Sequence, residues 1–86
     1  MWQLQYEESA LKALEKLDKP TVRKIIAYLE MKVLNNPTDF GKPLEYEFKG
    51  LWRYRVGDYR IICKIQKQEL IVLVIGVGHR KEIYGA

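Results

Sequence analysis

Arg53, Arg55 and Arg60 flank the dipeptide Gly57-Asp58 inside a stretch that alternates in polarity, from Leu51 to Val56 and from Tyr59 to Gln66. Gly-Asp between two such runs is a two-residue hairpin signal. The turn would pair Val56 with Tyr59, Arg55 with Arg60, Tyr54 with Ile61 and Arg53 with Ile62. Directly opposed residues lie on one face, and faces alternate along a strand. Arg53, Arg55 and Arg60 therefore share a face, and Trp52, Tyr54, Val56, Tyr59, Ile61 and Cys63 share the other. Like charges opposed across strands repel. Three guanidinium groups together make chemical sense around a phosphate, whose oxygens match their forked donors. The competing arrangement pairs each arginine with a loop acid such as Glu45 or Glu47.

The charge distribution points the same way. The chain carries fifteen Lys and Arg against eleven Asp and Glu, a net charge of +4. Between Lys49 and Lys64 stand Lys49, Arg53, Arg55, Arg60 and Lys64 with one acid, Asp58, so this segment holds the whole excess. A concentrated excess of this kind describes an anion-binding surface. Continuing through a tight turn at Lys67-Gln68 would pair Ile62 with Leu73 and Arg60 with Ile75. Val77 and His79 would then fall on the arginine face. His79 is the only histidine, and a near-neutral imidazole beside a phosphate can move a proton. Strict alternation would send Arg80 to the other face, although Gly76 and Gly78 can bulge the strand end. Tyr84 could stack on a base or anchor the tail. Cys63 reads as a small buried apolar residue. One His, one Cys and scattered carboxylates give no metal-ligand spacing, and no cofactor motif is present.

The elements that must position these groups follow from periodicity. Trp2 to Glu7 alternates as a strand. Ser9 is a candidate N-cap, with Leu11, Leu14 and Leu17 at helical spacing. Asp18-Lys19-Pro20 separates this helix from a second, whose stripe is Val22, Ile25, Ile26, Leu29 and Val33. Asn35-Asn36-Pro37 stops it, and Thr38 to Pro43 reads as a loop. Leu70 to Val77 is an apolar central strand. The order β-α-α-β-β-β predicts an α+β domain, with two helices on one face of a small antiparallel sheet. At 86 residues the expectation is a single domain, 1–86, with one core. One cysteine excludes an intrachain disulfide. The longest apolar run is far below the roughly 20 residues of a membrane span. The N-terminus lacks the features of a signal peptide. These point to a soluble cytoplasmic domain.

The run from Leu51 to Ile62, followed by Val77-Gly78-His79-Arg80 and Ile83-Tyr84, resembles the RelE toxins of bacterial and archaeal toxin–antitoxin pairs. Tyr6-Glu7 with Ala10, Leu14 and Leu17, and the element order, fit the same family. The resemblance spans nearly the whole chain. It implies a microbial-ribonuclease-like fold and a metal-independent endoribonuclease that cleaves mRNA in the ribosomal A site. The ribose 2′-hydroxyl would be the nucleophile, leaving a 2′,3′-cyclic phosphate and a 5′-hydroxyl. It implies an acidic cognate antitoxin, RelB-like, and the ribosome with its mRNA as partners, and no membrane.

By motif, the family's functional positions fall on Arg53, Arg55, Arg60, Arg80 and Tyr84. Arginine replaces lysine at both hairpin positions, and arginine is a poor proton acceptor; His79 could supply that role, and His79 or Arg80 is expected to assist proton transfer to the leaving 5′-oxygen. The RNA surface is expected to hold Lys49, Arg53, Arg55, Arg60, Lys64 and Lys81. A chain ending at Ala86 is expected to lack the C-terminal helix of longer members. Two competing classes are a non-enzymatic gyrase inhibitor of the related ParE group and a non-catalytic RNA-binding module. ParE proteins generally lack the basic cluster and the terminal tyrosine, against the matches at Arg60, Arg80 and Tyr84.

Overall fold

The computed structural model describes residues 1–44 and 50–79. Strand β1 (Gln3–Tyr6) leads into helices α1 (Glu8–Glu15) and α2 (Lys19–Tyr28), and α2 runs into a π-turn, Leu29–Val33. A two-residue strand, β2 (Lys42–Pro43), precedes β3 (Leu51–Val56), β4 (Tyr59–Gln66) and β5 (Ile71–His79). The sheet order is β1-β5-β4-β3-β2. This is the expected α+β arrangement, with two differences. The first strand pairs parallel to β5, Gln3 opposite Ile71 through Tyr6 opposite Val74, so the sheet is mixed. The expected loop at Thr38 to Pro43 contributes an edge strand, with Lys42 opposite Arg53 and Pro43 opposite Trp52.

Local chemistry sets the helix boundaries. Asp18 caps α2, its side chain accepting from the Thr21 backbone N–H at 3.2 Å and from the Thr21 hydroxyl at 2.7 Å. These bonds favour the ionised carboxyl and hold its pKa below the ordinary value. Pro20 sits at the start of α2, where a missing N–H costs nothing. Ser9 is not the cap of α1. Glu7 occupies that position, and the Ser9 hydroxyl donates instead to the Ile75 carbonyl at 2.8 Å. The π-turn is closed by the Leu34 N–H donating to the Leu29 carbonyl, five residues back, at 3.0 Å.

The core lies between the helices and one sheet face. Ala10, Leu14, Ile25, Leu29 and Val33 meet Tyr54, Ile61, Cys63, Val72, Val74 and Val77. Val22 and Ile26 complete the expected stripe but stay half-buried. The Tyr54 hydroxyl donates to the buried Pro37 carbonyl at 2.6 Å. The Tyr6 hydroxyl is buried with no hydrogen-bond partner among the described residues. Burial, with smaller contributions from Glu30 and Cys63, pushes its pKa up to about 12. Cys63 is fully buried, and burial raises its thiol from 9.0 to about 12.

The β3–β4 register is as expected, Arg55 opposite Arg60 and Tyr54 opposite Ile61. Gly57 has φ +59 and Asp58 has no positive φ, the pattern of a type II′ turn. The β4–β5 register differs from expectation. Its turn has four residues, Lys67 to Leu70, closing with Gln66 opposite Ile71. Leu70 adopts φ +57, a left-handed conformation that disfavours a branched side chain. A β-bulge then shifts the ladder: Cys63 faces Val74, but Ile62 faces Gly76, leaving Ile75 as the extra residue. Ile62 does not pair with Leu73, nor Arg60 with Ile75. Arg60 faces Gly78, and Tyr59 faces His79.

Two stability predictions follow from these buried groups. Tyr54→Phe leaves the Pro37 carbonyl without its donor and is expected to cost about 1–2 kcal/mol, whereas Tyr6→Phe removes a buried unsatisfied hydroxyl and is expected to be neutral or stabilising. Urea unfolding midpoints of the two variants test this, and equal losses would contradict it. The raised Cys63 pKa stabilises the fold fully below the unfolded value near 9.0, and that contribution is lost as pH rises toward about 12. Wild type is therefore expected to lose stability faster than Cys63→Val, by about 1 kcal/mol, between roughly pH 9 and 10. Parallel urea midpoints across that range would refute the assignment.

Candidate nucleic-acid interface

The arginine face is built across three strands. Lys42 on β2 stands opposite Arg53 on β3, and Arg55 stands opposite Arg60 on β4. The core side of the same strands holds Tyr54, Ile61 and Cys63, all fully buried. Opposite-facing alternation thus drives the basic side chains outward as a group. Arg55 is exposed, and Arg53 and Arg60 are half-buried. A cleft of about 240 Å³ is lined by Tyr28, Gly41, Lys42, Arg53, Arg55 and Arg60. Four fixed cations and one aromatic ring around a cleft can hold a phosphodiester and a flat ring beside it.

Tyr28 and Lys42 were missed by sequence reasoning. Tyr28 is the last residue of α2 and reads as a flank of the helical stripe. Lys42 lies in a stretch whose composition signals a loop. The one available signal was Gly41. It has φ +68, and a Cβ there would fall on the Arg53 carbonyl oxygen and the Tyr54 ring. Only glycine lets β2 approach β3 this closely and carry Lys42 to the cleft.

His79 is not on this face. Expected beside the arginines, it is turned to the helix side by the bulge at Ile75. There its ring meets Tyr59 edge-on, with centroids 5.7 Å apart at 81°. It borders a separate cavity of about 360 Å³ with Ala13, Lys16, Leu17, Tyr59, Val77 and Gly78. The expected proton-transfer role of His79 in the arginine cleft therefore has no geometric basis. Lys64 is exposed on β4, opposite Leu51. The expected site residues Lys49, Arg80, Lys81 and Tyr84, and the competing acids Glu45 and Glu47, lie outside the described residues. Among the described residues no group of His, Cys, Asp and Glu is arranged to hold a metal ion. No helix among them is long and apolar enough to cross a membrane.

Comparison with known proteins gives a consistent picture. A family model described as the ParE toxin of the type II toxin–antitoxin system, parDE, matches residues 4–84. Toxin RelG of Mycobacterium tuberculosis is 27% identical over 81 residues, covering 94% of this chain and 93% of the relative. Toxin RelE of the same organism is 30% identical over 76 residues, covering 88% of this chain and 78% of the relative. In the crystal structure of the toxin–antitoxin complex RelBE2 from M. tuberculosis, one chain superposes with a TM-score of 0.87 at 25% identity, covering 92% of this chain and 98% of that one. A chain of the intact E. coli RelBE complex gives 0.73 at 26% identity, with 92% and 96% covered.

The dependence of the cleft on Gly41 is testable. Gly41→Ala is expected to destabilise the fold by about 2 kcal/mol, from the left-handed backbone and the clash with β3 together. An unchanged urea midpoint would mean that β2 is not held against β3 as described.

Proposed function

Since the chain belongs to the ParE toxin family of type II toxin–antitoxin systems and is a RelE-type member of that superfamily, we propose that it is a metal-independent endoribonuclease acting on ribosome-bound mRNA. The observation that supports this most directly is the opposed pair Arg55 and Arg60, gathered with Arg53 and Lys42 around one cleft. Like charges opposed across a ladder are destabilising, and a phosphate lying between them would offset that cost.

In the proposed reaction the ribose 2′-oxygen attacks the adjacent phosphorus and the bond to the 5′-oxygen breaks. The 2′-hydroxyl proton is released and the 5′-oxygen takes one up, giving a 2′,3′-cyclic phosphate and a 5′-hydroxyl. Arg53, Arg55 and Arg60 hold the phosphate and stabilise the charge that grows on its oxygens. Arginine stays protonated, so it contributes charge rather than basicity. With His79 on the opposite face, proton transfer falls to Tyr84 or to groups of the ribosome, and Arg80 is proposed to add charge at the leaving 5′-oxygen. The ribosome supplies positioning by holding the mRNA in a cleavable geometry. Lys64 extends the basic surface, and Lys49 and Lys81 are proposed to join it.

The same membership supports an antitoxin partner. RelE chains stand beside RelB in the M. tuberculosis and E. coli complexes. A toxin of net charge +4 suits an acidic polypeptide laid over the arginine face. A second reading, gyrase inhibition by binding alone, is favoured by one finding, the ParE description of the matching family model. The purified protein in a translating extract separates the two: codon-spaced mRNA cuts support the nuclease, and blocked supercoiling with intact mRNA supports gyrase binding.

Two variants test the assignment of roles. Arg60→Gln is expected to slow single-turnover cleavage of ribosome-bound mRNA by about 10² to 10³, equally across pH, because a preorganised charge is lost. His79→Gln is expected to keep the wild-type rate within a few-fold, with an unchanged pH profile. A His79→Gln enzyme slowed by about 10² or more, with a flattened profile near neutrality, would return histidine to the chemistry.

A further inference from the structure

The arginines account for a phosphate, but two walls of the cleft are not arginine. Tyr28 closes one side from the end of α2, and Lys42 closes another from β2. The Tyr28 ring is braced. Phe40 meets it edge-on, with centroids 6.3 Å apart at 71°, and the Lys32 ammonium lies over one face of the ring, 5.8 Å from its centroid, so a base would stack on the other face. The ring is half-buried against the core. A braced aromatic loses little conformational entropy when a flat partner settles on it, and a nucleobase stacks on such a ring whatever its identity.

Lys42 completes a run of cations. It stands one strand spacing from Arg53, and Arg53 stands two residues along β3 from Arg55. The stems of these side chains are therefore about 5 Å apart across the strands and about 7 Å apart along them. That spacing suits consecutive phosphates of a single strand. The cleft, at about 240 Å³, is smaller than the roughly 300–1,000 Å³ of a drug-sized ligand pocket, so it would take part of a strand rather than enclose a whole small molecule. We propose that Tyr28 and Lys42 form a nucleotide subsite beside the arginines, Tyr28 stacking one base of a single-stranded RNA and Lys42 holding the neighbouring phosphate. This rests on the RNA reading above and adds to it the residues that hold the nucleotide flanking the cut.

The test is single-turnover cleavage on mRNA-programmed ribosomes, with toxin varied in excess to separate the half-saturating concentration from the limiting rate. The mRNAs carry either a natural base or an abasic ribonucleotide at each position flanking the scissile phosphate. Tyr28→Leu is expected to raise the half-saturating concentration on the order of 10- to 100-fold on intact mRNA. Tyr28→Phe is expected to match wild type. At one flanking position the abasic mRNA is expected to erase the difference between Tyr28→Leu and wild type. Lys42→Gln is expected to keep the base dependence while lowering the slope of log affinity against log salt by about 0.7.

Equal losses for Tyr28→Leu on intact and abasic mRNA at every position would make Tyr28 a packing residue only and overturn the subsite. So would wild-type behaviour of Tyr28→Leu on intact mRNA. Tyr28→Met, longer and unbranched so that it can follow the space left by the ring, serves should Tyr28→Leu fold poorly. An unchanged salt slope in Lys42→Gln would remove Lys42. The two levels fail differently: wild-type protein that leaves ribosome-bound mRNA uncut sinks the nuclease reading, whereas cleavage lost in Arg60→Gln but unaffected in Tyr28→Leu overturns the subsite alone.

Discussion

The basic face depends on the register of one hairpin. Arg55 and Arg60 stand directly opposite each other, an arrangement that electrostatics alone would disperse. The other side of the same two strands holds them there, because Tyr54 opposite Ile61 is fully buried. A slip of one residue would exchange the faces, carrying guanidinium groups into the core and a tyrosine and an isoleucine into water. Burying an unpaired charge costs several kcal/mol, more than keeping an exposed and a half-buried arginine opposite each other across a ladder. The core thus pins a repulsion that an isolated hairpin would relax. The register gathers these guanidinium groups by backbone packing rather than by side-chain flexibility.

That part of the molecule was legible because its determinants are local. Gly57-Asp58 specifies a two-residue turn, and alternation on either side of it specifies the faces. The next hairpin was not legible in the same way. Its turn has four residues and closes through Leu70 at φ +57, where glycine or asparagine would have announced the geometry. The bulge at Ile75 then reverses the facing of everything beyond it in β5, including His79. Gly76 and Gly78 hinted at irregularity but not at its position. The Ser9 hydroxyl, read as a helix cap, donates to the carbonyl of the bulged residue instead. That contact links positions 66 residues apart, and no local pattern could disclose it. Arg80, Tyr84 and the other tail positions remain inferences from resemblance.

The cleft and the core share structural members. Tyr54 reaches through the core to the Pro37 carbonyl, which fixes the start of the segment leading to Phe40, Gly41 and Lys42. Phe40 braces Tyr28, Gly41 lies flat on β3, and Lys42 extends the row of cations. One buried hydroxyl therefore helps to place three residues at the edge of the basic surface. The π-turn after Tyr28 ends α2 with an extra residue in the turn, and the chain comes back along the β3 edge.

The parallel pairing of β1 with β5 has a consequence for folding. It joins residues 3–6 to residues 71–74, and β1 sits at the sheet edge, so it has no strand neighbour until β5 is in place. Contacts this distant in sequence slow folding, since the loop between them must close before they stabilise anything. The β3–β4 hairpin is local in sequence and can form earlier, before β5 is placed beside β4. A chain part-way through folding therefore carries its opposed arginines on a hairpin whose register the core does not yet enforce. The basic face acquires its fixed geometry only once the pairing most distant in sequence has closed.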